Sequence, residues 1–175
     1  MMVYATRHGV LTLNRLLGHQ RHPYLDIDQA DWPLITVFIA AHNEEQVIAG
    51  CLQALLDTNY PLDRLKVVPV NDRSTDGTRA IIDDWVGRYP GRIVPFHRTK
   101  GKPGKAAALK DALQHAQGDI VIIFDADYVP GRGLLKQLVA PFFDPEVGAV
   151  MGRVVPVNTG CLLYTSDAAD DSLRV

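Results

Sequence analysis

From Trp32 onward, short apolar runs alternate with amphipathic stretches, and turn residues separate the two. Leu34 to Ala41 is apolar and rich in β-branched residues, the pattern of a buried strand. Over Glu45 to Leu56, the residues Val47, Ile48, Cys51, Leu52, Leu55 and Leu56 recur at helical spacing, and Asn43 stands just before them as an N-cap. Tyr60-Pro61 ends that helix, because a proline there cannot continue it. Lys66 to Val70 predicts a second strand, Asn71 to Asp76 a turn, and Thr78 to Val86 a second helix. Ile93 to Phe96 is a weak third strand. Lys105 to His115 predicts a helix with Ala107, Leu109 and Leu113 available for packing. Gly118-Asp119 then introduces Ile120 to Phe124, the strongest buried-strand signal in the chain. Gly133 to Phe142 predicts a further helix and Val147 to Val150 a last strand. This alternation of roughly five strands and four helices predicts an α/β fold with an open, mostly parallel, doubly wound sheet.

Composition narrows the function. The 175 residues are 47% hydrophobic and 22% charged, enough for one domain with a sizeable core. A net charge of -2, without long acidic or basic runs, gives no footprint for nucleic acid, so any bound anion must be held locally. The two cysteines, Cys51 in an apolar helical pattern and Cys161, predict no disulfide framework. The longest apolar stretches fall far short of the roughly 20 residues that span a bilayer. Arg7, His8, Asn14 and Arg15 break up the start of the chain, which therefore does not read as a signal peptide. As given, the chain is expected to be soluble.

The two ends read differently from the middle. Residues 1–31 form a basic and polar lead-in, compatible equally with a solvated surface helix and with the cytoplasmic, juxtamembrane continuation of a membrane helix upstream. After Val157, the segment CLLYTSDAAD continues no strand or helix begun before it and resembles the translation of a sequencing adapter. The expected division is a lead-in over 1–31, a ligand-binding part over 32–160 and a non-native tail over 161–175 that adds nothing to the fold.

Ligands in doubly wound folds bind beyond the carboxyl ends of the strands. Three predicted strand ends carry polar clusters: His42 to Glu45, Asn71 to Ser74, and Asp125 to Asp127. Asp125 and Asp127 follow an apolar strand directly, where two carboxylates on a turn present oxygens to a hard divalent cation shared with phosphates. A second such pair, Asp26 and Asp28, has no strand before it and reads as a solvated linker. Asp72, nearest its strand end, is placed to accept a hydrogen bond from a base or ribose, while Asp76 or Ser74 caps the next helix. Glu44 suits a first-turn carboxylate favoured by the helix dipole. The segment Gly101 to Lys105 is not a phosphate-binding P-loop, which requires glycine at position 99 and Ser or Thr at 106, where this chain has Thr99 and Ala106. What remains is a flexible basic loop opening a helix, suited to meet a diphosphate with backbone N–H groups and an ammonium.

Taken in order, FIAAHNEE, PVNDRSTDGT, GKPGKAAAL and DIVIIFDADYVP resemble the nucleotide-binding half of family 2 glycosyltransferases, and most nearly the membrane-embedded synthases of cellulose, hyaluronan and poly-N-acetylglucosamine. The resemblance covers about Pro33 to Val157 and implies a sheet of the nucleotide-diphospho-sugar transferase type. It also implies a UDP-sugar or other nucleotide-sugar donor, a glycan or lipid acceptor, Mg2+ or Mn2+, and a whole protein at the cytoplasmic face of a membrane. By that likeness Glu44 and Asp72 contact the nucleoside, Lys105 and Lys102 lie near the diphosphate, Asp125 also lies at the donor, and Asp125 and Asp127 hold the metal. Asn71 departs from the family, where many members have aspartate. The downstream carboxylate motif that supplies the base, and the QxxRW-like acceptor motif, do not appear before the chain ends. The expected chemistry is inverting displacement at the anomeric carbon, of which this fragment supplies the donor part and no acceptor base.

Two other readings compete. The run IIFDADYV also fits a phosphohydrolase of the haloacid-dehalogenase type, with Asp125 as nucleophile and Asp127 as acid/base, although that motif normally opens its domain. The other is a catalytically silent module that keeps the sugar-nucleotide fold.

Overall fold

The computed structural model describes residues 31–152. Four strands, β1 (Ile35–Ala41), β2 (Leu65–Asp72), β3 (Phe96–Arg98) and β4 (Ile120–Asp125), form one sheet in the order β3-β2-β1-β4, and every pairing is parallel. Parallel neighbours need crossovers, which the helices α1 (Ile48–Leu56), α2 (Thr78–Arg88) and α3 (Lys105–Ala112) supply, and α4 (Leu134–Val139) follows β4.

β1 lies inside the sheet with both faces covered, which is why its sequence is nearly continuous in apolar residues. Ile35, Val37 and Ile39 are fully buried on one face, against Ile48, Leu52 and Leu55 of α1, Ile82 of α2 and Leu135 of α4. On the other face Phe38 joins Val68, Val70 and the small residues Ala108 and Ala112 of α3. Burying each large aliphatic side chain contributes about 1.5–3 kcal/mol, so this strand anchors the domain. Thr36 is the polar exception. Its hydroxyl donates to the Gln117 carbonyl at 2.6 Å and accepts the Gln117 N–H at 2.8 Å. Beside it, Gly118 (φ +79°) lets the chain pass the edge of β1, since a Cβ there would lie 2.0 Å from the Leu34 carbonyl oxygen.

β3 is short for a reason written in the sequence. Val67 donates to Arg92 O and accepts from Val94 N, so the next β2 amide facing β3 belongs to Pro69, which has no N–H to give. The ladder resumes only at Val70 to Asp72, opposite Phe96 to Arg98, and the predicted strand over 93–96 is displaced accordingly. β2 runs two residues further than the spacing predicts, so Asn71 and Asp72 end the strand instead of opening a turn.

Val147 to Val150 does not form the predicted last strand. The Val147 N–H closes a turn onto Asp144 O, and Gly148 and Ala149 bring little side chain to hold an extended segment against the sheet. The first helix begins at Ile48, and Asn43 is not its N-cap: its backbone is left-handed (φ +59°), and its side chain turns to the neighbouring loop. Asp76 does cap α2 as expected, accepting the Thr78 N–H at 3.0 Å. Asp26, Asp28, Cys161 and the tail expected to add nothing to the fold lie outside the described residues. No helix among those described is long and apolar enough to cross a membrane.

Candidate functional site: a cleft at the carboxyl ends of the strands

The loops after β1 and β2 are tied into one rigid rim. The Asn43 N–H donates to the Ser74 hydroxyl at 3.0 Å, and the Asn43 side-chain oxygen accepts the Thr75 N–H at 2.8 Å. The Glu44 N–H donates to the Thr78 hydroxyl at 2.8 Å, while the Glu45 carboxylate accepts the Gly77 N–H at 2.6 Å, at the start of α2 where the helix dipole favours an anion. Asn71 accepts the Ser74 N–H at 3.1 Å and stands 3.2 Å from His97, whose other ring nitrogen meets Asp83. These bonds explain why two non-glycine residues, Asn43 and Arg73, hold positive φ here: each reversal is fixed by side-chain acceptors on the opposite loop or the preceding strand.

Inside the rim is a cleft of about 380 Å³ whose wall includes Glu44, Asp72, Lys105 and Asp125. Four of the six sequence-predicted residues therefore meet at one place. Of the other two, Asp127 lines an adjoining apolar groove of about 610 Å³ that shares Asp125 with the cleft, and Lys102 reaches solvent from the rim.

Asp72 is almost wholly buried, and its carboxylate is saturated. Oδ1 accepts from Arg73 Nε and Arg98 Nη1, each at 3.0 Å, and Oδ2 accepts from the Gly104 N–H at 3.0 Å and Arg73 Nη2 at 3.4 Å. Burial alone would raise this carboxyl, but the hydrogen bonds from Arg73, Gly104 and Arg98 outweigh it and hold it below the usual carboxylate range. The backbone carbonyl of Asp72 is engaged as well, by His42 Nδ1 at 2.7 Å; a carbonyl only accepts, so Nδ1 carries the proton.

Asp125 is built in the opposite way. Its side chain is 56% exposed, and its charged partner is Lys105, whose Nζ lies 2.5 Å from Oδ1. Among the described residues no three His, Cys, Asp or Glu side chains converge on one point, so Asp125 and Asp127 would give a metal two protein ligands at most. An oxygen-only pair beside open solvent suits a hard cation that takes its remaining ligands from phosphate and water. The Lys105 ammonium already shows that this carboxylate accepts a cation. Cys51 lies beneath, buried, its thiol pushed up to about 12 by burial and by the nearby Asp127 charge.

Sequence reasoning placed His42 and Arg73 in the strand-end polar clusters without giving either a role, and it missed Arg98. Arg98 lies two residues beyond the weak strand predicted over 93–96, so its place at the end of β3 was not legible in the sequence.

The phosphohydrolase motif normally opens its domain, whereas here β1, β2 and β3 all precede Asp125 and join β4 in the same sheet. The comparisons agree. The model for "Glycosyl transferase family 2" matches residues 36–169, a match that runs past Cys161 into the expected tail. A β-monoglucosyldiacylglycerol synthase from Synechocystis is 37% identical over 80% of this chain and 29% of its own length. A putative cellulose synthase 2 from Komagataeibacter xylinus is 34% identical over 70% of this chain and 8% of its own. Among solved structures, a mannosyltransferase from Pyrobaculum calidifontis in complex with GDP-Man and Mn2+ superposes with a TM-score of 0.62 at 36% identity, covering 69% of this chain and 38% of that one. The chain thus spans well under half the length of each of these proteins, and the part it spans carries the parallel sheet and the cleft. It belongs to glycosyl transferase family 2.

Proposed function

We propose that this chain forms the donor-binding part of an enzyme that transfers a sugar, with inversion, from a nucleoside-diphosphate sugar to a glycan or lipid acceptor. The observation that carries the reading is the meeting of Glu44, Asp72, Lys105 and Asp125 in one cleft beyond the carboxyl ends of parallel strands. Glu44 and Asp72 hold the nucleoside. Arg73, whose second contact with Asp72 is the long one at 3.4 Å and whose side chain is a third exposed, is the partner that a base or ribose donor displaces, while Arg98 and Gly104 stay. The diphosphate lies against the first turn of α3, where backbone N–H groups and Lys105 face the cleft, with Lys102 at its rim.

Asp125 and Asp127 hold Mg2+ or Mn2+, which when bound offsets the charge that develops on the departing diphosphate. Lys105 then leaves Asp125 and turns to phosphate, so that one ammonium neutralises a carboxylate in the empty cleft and a phosphoryl oxygen in the filled one. The Mn2+ and GDP-Man bound to the Pyrobaculum relative support this assignment. The whole protein works at the cytoplasmic face of a membrane, a reading supported by the glycolipid and cellulose synthases among its relatives.

Calorimetry with UDP and with GDP tests the reading, in Mn2+ or in chelator, on the wild type and Asp127→Ala. The expected result is binding that weakens at least tenfold in chelator and in the variant. Equal affinity in every arm removes the metal and, with it, the assignment of the carboxylate pair.

A further inference from the structure

The basic loop from Thr99 to Gly104 reaches the cleft because its backbone is held from outside. Arg98 Nη1 donates to the Lys102 carbonyl at 2.7 Å, the Asp72 carboxylate accepts the Gly104 N–H at 3.0 Å, and Arg73 Nη1 reaches the Gly101 carbonyl at 3.4 Å. Arg98 is the centre of this arrangement. Its side chain is only 4% exposed, and it does not line the cleft. Nε donates to Asp111 on α3 at 2.7 Å and Nη1 to Asp72 on β2 at 3.0 Å. One planar group thus joins a strand end, a helix and a loop, and it does so with the fixed fork geometry that lysine lacks.

The loop is shaped to the guanidinium. Gly101 has φ +97°, and a Cβ on it would lie 2.5 Å from Arg98 Nη2, so a side chain at 101 would push the loop off the arginine. The next residues that matter, Lys102 and Lys105, carry the charges assigned to the diphosphate, and Gly104 opens α3. Fixing the Lys102 carbonyl and the Gly104 N–H fixes where those amides and ammoniums point.

We propose that Arg98 is a positioning residue for the donor's diphosphate: it touches no ligand and sets the path of the loop and the start of α3 that do. This rests on the reading of the cleft as a nucleoside-diphosphate site. A purely structural arginine would affect every ligand alike. A positioning arginine costs the diphosphate more than the nucleoside, which Arg98 meets only through Asp72.

The test uses the full chain with Mn2+, comparing affinities for UDP and GDP with those for uridine and guanosine. Arg98→Lys keeps a cation between Asp72 and Asp111 but loses the fork to Lys102. It should weaken diphosphate binding about tenfold or more and change nucleoside binding less than about twofold, the tenfold step being the loss of a charge-assisted contact of ordinary strength. Asp111→Asn lies outside the cleft on a half-exposed side chain, removes one anchor of Arg98, and should give a smaller shift of about two- to fivefold in the same direction. If circular dichroism shows that Arg98→Lys does not fold, Asp111→Asn carries the test. Equal losses for nucleoside and diphosphate, or no loss for either, overturn the proposal. No binding of UDP or GDP by the wild type overturns the reading of the cleft instead, and this inference falls with it.

Discussion

Asp72 and Asp125 end strands on either side of β1 and line the same cleft, yet the chain treats them oppositely. Asp72 is buried, accepts from two arginines and one backbone N–H, and is held ionised by them. Asp125 is more than half exposed and paired with one lysine that is itself half exposed. A carboxylate whose lone pairs are all engaged by the protein organises the protein. One with spare lone pairs facing water is available to a ligand. Polar residues at strand ends are thus of two kinds: Asp72 keeps its buried partners and can release only the part-exposed Arg73, whereas Asp125 can give up its whole protein pairing when a ligand arrives.

The contrast is most exposed to failure at Asp72. Asp72→Ala leaves the Arg98 guanidinium buried without one of its two carboxylates and should lower stability by about 3 kcal/mol in urea unfolding, the usual cost of stripping one partner from a buried pair. A loss below about 1 kcal/mol would show that Arg98 is not held as described. At the other carboxylate pair the balance reverses. Asp125→Asn should change stability by no more than about 0.5 kcal/mol while abolishing the dependence of nucleotide affinity on Mn2+. An unfolding curve displaced as far as that of Asp72→Ala would erase the distinction.

Acid sharpens it further. Because its folded value is depressed, the stabilisation from Asp72 is fully present above the ordinary carboxyl value of 3.8 and disappears as pH falls towards and through the lower folded value. Thermal midpoints of the wild type and Asp72→Asn should therefore differ at neutral pH and converge in strong acid. A constant gap across that range would assign the effect to packing. At Arg73 the loss should be well below that at Asp72: Arg73→Ala should cost no more than about 1 kcal/mol, because Asp72 keeps Arg98 and Gly104, and urea unfolding reads it directly.

What the sequence made legible follows from how local each signal is. β1 was readable because a buried parallel strand needs an unbroken apolar run, which Leu34 to Ala41 supplies; the run Ile120 to Phe124 announced β4 as a strand but overstated its burial, since Val121 and Ile123 on one face stand exposed. α2 and α3 began where Thr78 and Lys105 predicted. The convergence of Glu44, Asp72, Lys105 and Asp125 was readable too, since a parallel sheet sends every strand end to one side. The failures lie where a residue's role depends on a partner far along the chain. Asn43 has the composition of a helix cap and binds Thr75 instead, 32 residues away. Val147 to Val150 has the composition of a strand and turns on Asp144. Arg98 bonds Asp72, Lys102 and Asp111 across three elements, and no periodicity announces such a knot.

β4 has one further consequence, for handling the protein. Among the described residues it is the sheet's last strand on that side, with no neighbour on its outer ladder. α3 covers β1 and β2 but stops short of β4, which leaves Val121 36% and Ile123 49% exposed beside Phe38's buried face. An unpaired ladder next to exposed β-branched residues is a template for another chain, and charged residues at such edges are how natural sheets avoid that fate. Where no further segment covers that edge, concentrated solutions should self-associate through β4, and lysine at positions 121 and 123 should suppress that association.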